Sequence, residues 1–242
     1  ARYKYSISKV ESSKLQKSAF QRNNNLLKPK EGIIYKKIEN INATRSNRIN
    51  EWIKKHSDHQ SLMINIDSIV QNLSFGIQSE KFEEAMNELG SAIGFFCQRP
   101  DKEIKKGPDN LWGDADGQYL LFECKNEVKE ERSEINKTEA GQMNNHCAWF
   151  SSEYGSAPCI KVMIINTRTL SYHGDFSEEV FVMRKSKLNK LKSNVKSFFR
   201  EFATYNIQSL DDITIHNFIK SHELDMESLS SKYTETIIKG RR

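Results

Sequence analysis

The sequence predicts an α/β fold, a mixed central sheet flanked by helices with further helical segments at both ends. Three observations carry this. Apolar runs at 119–122 and 159–166 have the length and the Ile, Val and Phe content of buried strands. Helical stripes with a 3.6-residue period lie before and between them. The order helix, hairpin strands, helix, strand then suits one mixed sheet covered by helices. The chain divides into a basic, partly helical segment (1–75), a core (76–205) and a helical tail (206–242).

Each element has its own signal. Residues 1–60 are polar and weakly periodic, with a short apolar piece at Gly32, Ile33, Ile34 and Tyr35 that suits a strand. A helix is expected over 45–55, with Thr44 or Ser46 as N-cap. Another spans 61–75, with a stripe of Leu62, Ile66, Ile69, Val70 and Leu73. The core opens with a helix over about 79–96, whose stripe is Phe82, Ala85, Met86, Leu89, Ile93 and Phe96. Short strands near 94–98 and 110–114 and a central strand at 118–125 follow. A long helix at 134–153 leads to the strand at 159–166. A short strand at 179–183 precedes a basic helix at 185–202. The tail reads as helical, with Ile213, Ile215, Phe218 and Ile219 as its stripe.

Composition sets outer bounds. The 242 residues suffice for one good core with an appendage, or two small domains. With 37% hydrophobic and 29% charged residues and no run of about 18 apolar residues, no membrane span is expected. The first residues lack a basic-then-apolar secretory pattern. The chain opens on Ala rather than Met, which reads as a piece of a longer protein, although tag removal would look the same. Cys97, Cys124, Cys147 and Cys159 are widely spaced, so free thiols in a reducing cytoplasm are expected rather than a zinc site. His56 and His59 have no third ligand nearby and read as surface residues.

Charge is uneven. Residues 1–50 hold twelve Lys or Arg against three acids, a net +9 that leaves −4 for the remainder. That segment reads either as an arm for a polyanion or as a solvated linker. The chain has no Walker-type loop, no Gly-x-Gly-x-x-Gly and no serine elbow, so ATP, dinucleotide and acyl-transfer chemistry have no support within it.

The most informative stretch runs from Gly107-Pro108-Asp109 through an apolar strand to Glu123-Cys124-Lys125. Side chains alternate along a strand, so Glu123 and Lys125 share one face and Cys124 points to the other. A carboxylate and an amine at the end of a buried strand are costly unless a site uses them. Singly, Pro-Asp is a common turn opener and Glu-x-Lys a common surface pattern. Together, in a strand–turn–strand setting, they resemble the PD-(D/E)xK nuclease superfamily. The resemblance covers about residues 80–185, and its motif is short.

The resemblance implies a restriction-endonuclease-like core and a metal-dependent phosphodiesterase, an endonuclease ahead of an exonuclease, with DNA favoured over RNA. It implies Mg²⁺, which Mn²⁺ can replace, held by Asp109, Glu123 and the Cys124 carbonyl. Lys125 would orient or deprotonate water, or stabilise charge on phosphate. Relatives place a Glu after a Phe in the first core helix, near the metal. That role passes to Glu83, while Glu84 falls on the opposite face; an ordinary surface pair is the plain reading. In the second helix Ile135, Met143, Cys147 and Phe150 point inward, with Glu139, Gln142 and His146 in or beside that stripe. Some relatives carry Gln-x-x-x-Tyr there. Here Gln142 keeps the first position and His146 replaces the Tyr, so His146 is either a phosphate contact or a satisfied core histidine. Lys137 lies off this face, solvated or near phosphate. Asp114 and Asp116 read as turn formers. Relatives are often fused to or associated with a helicase or ATPase in restriction and phage defence, and duplex cutting favours a homodimer. The competing reading is an inactive nucleic-acid-binding or partner-docking module on the same core.

Overall fold

The structure, a computed structural model, describes residues 2–27, 35–39, 41–128 and 132–241. Five helices come first: α1 (Arg2–Tyr5), α2 (Lys9–Arg22), α3 (Arg45–Ile53), α4 (His59–Asn72) and α5 (Ser79–Ala92). Next are β1 (Phe96–Gln98), α6 (Pro100–Ile104), β2 (Asn110–Gly113), β3 (Tyr119–Cys124), α7 (Lys137–Tyr154) and β4 (Cys159–Ile164). The chain continues through β5 (Thr169–Leu170), β6 (Phe181–Met183), α8 (Lys185–Arg200) and a 3₁₀ turn, Glu201–Thr204. It closes with α9 (Asp212–Ser221), α10 (Met226–Ser231), β7 (Glu235–Thr236) and β8 (Ile238–Lys239).

Six strands form one mixed sheet in the order β1-β2-β3-β4-β6-β7, and β5 pairs with β8 separately. β1, β2 and β3 are antiparallel neighbours. β4 and β6 then run parallel to β3, and β7 returns antiparallel. A parallel pair needs a long crossover, and α7 supplies it between β3 and β4. β3 is buried at all six positions, as a central strand covered on both faces should be. Its alternation splits the core. Leu120, Phe122 and Cys124 join α3, α4, α5, α8 and the C-terminal helices in one apolar cluster. Tyr119 and Leu121 join Met143, Cys147 and Phe150 of α7 in the other. The same alternation puts Glu123 on the α7 side.

Local physics explains where the elements begin and end. Thr44 caps α3 through Asn47 N, which settles the N-cap. α4 starts earlier than expected because Asp58 and Ser61 form a capping box, and its apolar stripe is buried throughout. α5 stops at Ala92 where Gly94 takes φ +92°, and a Cβ there would meet Arg45 O at 2.6 Å. Phe96 is therefore no part of the helical stripe. It lies half-exposed on β1 beneath the Arg48 guanidinium, 3.5 Å from its ring. Asn136 and Glu139 form the capping box that starts α7, three residues later than expected. Ile135 is buried just before it, bridged to Leu170.

The ends depart most from expectation. α2 forms within the stretch that reads as weakly structured, capped by Ser8 and docked on α6. Ser8 Oγ donates to Lys102 O at 2.8 Å, and Lys9 Nζ lies 2.9 Å from Glu103 Oε2. Gly32, Ile33 and Ile34 lie outside the described residues. Tyr35 is in no strand; its hydroxyl donates to Gln98 at 2.5 Å. The tail is helical only in part, since β7 joins the main sheet. Ile213 is 75% exposed and leaves the stripe, because α9 starts at Asp212 and turns Ile215 and Ile219 inward. All four cysteines are free. Among the described residues no helix is long and apolar enough to cross a membrane.

Candidate active site

The β2–β3 hairpin places the motif. Its turn is closed by Asp114 Oδ1, which accepts from Asp116 N at 3.0 Å and Gln118 N at 2.9 Å, with Gly117 at φ +72°. Asp114 and Asp116 are turn formers, as their spacing suggests. The register Asn110↔Phe122 brings the residue before β2 alongside the end of β3. Asp109 Oδ2 accepts from Cys124 N at 2.7 Å. The loop into Asp109 turns on Gly107, at φ +85°, where a Cβ would sit 2.7 Å from the Trp149 ring.

Glu123 is wholly buried. Its Oε1 lies 2.6 Å from Lys125 Nζ and its Oε2 2.8 Å from His146 Nε2. Neither contact has hydrogen-bond geometry, so both oxygens keep lone pairs available for another partner. Lys125 Nζ donates to Gln142 Oε1 at 2.8 Å. Gln142 and His146 are four apart on α7 and share a face, so one helix braces Lys125 with the first and Glu123 with the second. Glu139 does other work, closing the capping box and pairing with Arg132. Lys137 is exposed.

Glu83 comes from α5. Asn110 Nδ2 donates to its carbonyl at 3.1 Å, which ties α5 to β2. Its carboxylate Oε2 lies 2.5 Å from Arg99 Nη2. Glu84 points outward and also meets Arg99, at 2.6 Å.

Asp109, Glu123, Cys124, Lys125, Gln142 and Glu83 all line one pocket of about 360 Å³, with Ser79, Asn126, Glu127 and Val128. His146 reaches it only through Glu123. Asn126 is a site residue that the sequence alone did not single out. It is buried, donates to Ile77 O at 2.5 Å, and accepts Gly76 N on its carbonyl at 2.9 Å. It thereby fastens the loop before α5 to the end of β3, and its Oδ1 has no hydrogen-bond partner among the described residues. A polar residue directly after a buried strand was the available signal.

The electrostatics oppose one another. Burial pushes the Asp109 carboxyl well above the usual range, and the neighbouring Glu123 and Glu83 push the same way. Burial also works against ionised Glu123, but adjacent His146 and Lys125 outweigh it and hold that carboxyl low. Burial works against charged Lys125, yet Glu123 and Asp109 outweigh it and raise the amine. The resting site thus pairs a carboxylate with an ammonium beside an Asp that resists ionising.

Among the described residues no three His, Cys, Asp or Glu side chains form a metal cage. A hard cation of the Mg²⁺ type needs no such cage, because it is held by one or two carboxylates, with water and substrate oxygens completing its shell. Asp109 and Glu123 on one pocket fit that donor set, and the two buried Glu123 oxygens outside any hydrogen bond are suited to it. No protein-family model, curated protein or solved structure matches this chain.

Proposed function

We propose that this chain is a metal-dependent nuclease with a restriction-endonuclease-like core that hydrolyses phosphodiester bonds of DNA, cutting internally. One observation carries the reading. Asp109, Glu123 and Lys125 meet on one pocket where an antiparallel hairpin passes into parallel pairing, and Gln142 from the crossover helix holds the Lys125 amine.

The Asp109 and Glu123 carboxylates and the Cys124 carbonyl are the donors that would hold Mg²⁺, or Mn²⁺ in its place. When bound, such an ion polarises a phosphate oxygen and lowers the pKa of water. Lys125 pairs with Glu123 and is held by Gln142, which places it as a cation that stabilises charge growing on phosphate. Gln142 fixes where that charge sits. His146 Nε2 lies 2.8 Å from the far oxygen of Glu123 and limits by contact where the carboxylate can turn.

The basic N-terminal segment bears on the substrate. Arg45 is spent on Ile93 O and Leu224 O, and Arg48 on Gly94 O and Phe95 O. Lys9 pairs with Glu103. Lys14, Lys17 and Arg22 are exposed on α2, which docks on α6 shortly before the Asp109 loop. These three are the residues we assign to the DNA backbone.

Plasmid cleavage in Mg²⁺ by the wild type, Glu123→Gln and Lys125→Ala tests the reading. Loss of a charge-stabilising group costs about 10²–10³ in rate, so both variants should fall at least that far. A wild type that binds DNA but never cuts it would leave the docking-module reading in its place.

A further inference from the structure

Four carboxylates line the pocket: Glu127, exposed on the turn after β3, and the more buried Asp109, Glu123 and Glu83, three that are enough on their face to attract two divalent ions. The surroundings of Glu83 argue otherwise. Arg99, 5% exposed, stands behind α5 at the start of α6. Its Nη2 lies 2.5 Å from Glu83 Oε2, and its Nη1 lies 2.6 Å from Glu84 and 3.2 Å from Glu80. Glu80 and Glu84 are half-exposed and both are shared with Lys102, whereas Glu83 is the most buried of the three. A guanidinium stays charged under all ordinary conditions. Taking Glu83 away would leave this buried guanidinium with only two half-exposed carboxylates that it shares with Lys102, which is unfavourable.

We infer that Arg99 occupies the place of a second cation, so that this centre takes a single divalent ion on Asp109 and Glu123 while Glu83 stays with Arg99. The inference rests on the metal-dependent reading above and concerns only how many ions the pocket accepts and through which carboxylates. Glu83 then lines the pocket as a carboxylate already neutralised. Its part is to anchor α5, against the start of α6 through Arg99 on its side chain and against β2 through Asn110 on its carbonyl.

Calorimetric titration of the full chain with Mn²⁺ alone decides the matter. The wild type should bind one ion. Glu83→Gln, which can still hydrogen-bond Arg99, should bind one ion with Kd changed by less than ~3-fold. Glu123→Gln should weaken binding by more than ~10-fold, the least expected for removing a group that matters to a metal. Arg99→Met, which frees Glu83, should gain a second ion that Arg99→Met/Glu83→Gln lacks. Should Arg99→Met fail to fold, the Glu83→Gln comparison decides alone. Two ions in the wild type, or a loss of ~10-fold or more in Glu83→Gln, would overturn the inference and leave the nuclease reading standing. No ion in the wild type would remove that reading and this inference together.

Discussion

Gln142→Ala separates a positioning role from a structural one. Gln142 Oε1 accepts from Lys125 Nζ at 2.8 Å, and the truncated side chain leaves that amine with Glu123, 2.6 Å away. A hydrogen bond to a charged group contributes about 1.5–3 kcal/mol. Lys125 keeps its ion partner and faces the pocket, where water replaces the lost acceptor, so the net cost falls to about 1 kcal/mol. For a chain of this size that is a drop of roughly 2–4 °C in Tm. The rate should suffer more. An amine free to swing away from its post by about an ångström costs roughly 10–100-fold. The assay is a double-mutant cycle of Gln142→Ala and Lys125→Ala, with cleavage rates per folded molecule and melts on all four proteins. Gln142 acts through Lys125, so in the Lys125→Ala background its removal should change the rate by no more than about twofold. If Gln142→Ala slows both backgrounds by the same factor, the two residues act separately. If it melts the protein far more than this while leaving the wild-type rate intact, Gln142 is structural.

Further outcomes follow from the same geometry. Asp109 has its folded pKa raised by burial and by its carboxylate neighbours, so its contribution to stability is fully present below its unfolded pKa and is lost as pH rises through the folded value. Asp109→Asn should therefore raise Tm at pH 8, with the gain shrinking towards pH 4, while cleavage disappears; a lower Tm at pH 8 would refute this. Gly107→Ala places a Cβ 2.7 Å from the Trp149 ring at φ +85° and should cost about 1–3 kcal/mol, with slower cleavage because the Asp109 loop shifts. Thermal melts and rates check it. Replacing Lys14, Lys17 and Arg22 together by Glu should flatten the salt dependence of DNA binding by up to about 0.9 for each phosphate that is no longer neutralised; an unchanged slope would return α2 to the role of a docked but passive helix.

How much of this fold was legible depended on where burial dictated sequence. β3 and β4 were readable because central strands must be apolar, and α4 because its stripe is complete. The N-terminal α2 escaped because Ser12 is its only buried residue, so no stripe exists to read. It is held instead by a Ser8 cap and polar contacts to α6, a partner about ninety residues away. β7 escaped for a different reason. Two residues joined to a sheet edge by pairing with Phe181 and Val182 carry no periodicity of their own, and the helical pattern before them masked the change.

The candidate site shows the same division one level down. Alternation along β3 is local, so the shared face of Glu123 and Lys125 could be read from three residues. Helical spacing is local too, so Gln142 and His146 could be placed on one face of α7. What no local rule supplies is which charge answers which. Arg99 was silent in the sequence, because nothing in Arg-Pro-Asp-Lys announces a guanidinium set against three glutamates of another helix. Its effect is nevertheless to change what Glu83 can be. The spacing on α5 offers Glu83 to the pocket, and the ion pair behind it takes the offer back. His146 runs the opposite way. A histidine on an inward face is most often a satisfied core residue, yet here its ring meets the one carboxylate in the pocket that has no exposure at all. Two pocket carboxylates thus have partners that no local pattern announces, Arg99 for Glu83 and His146 for Glu123, and on the proposed reading these are the positions where substitutions will tell most.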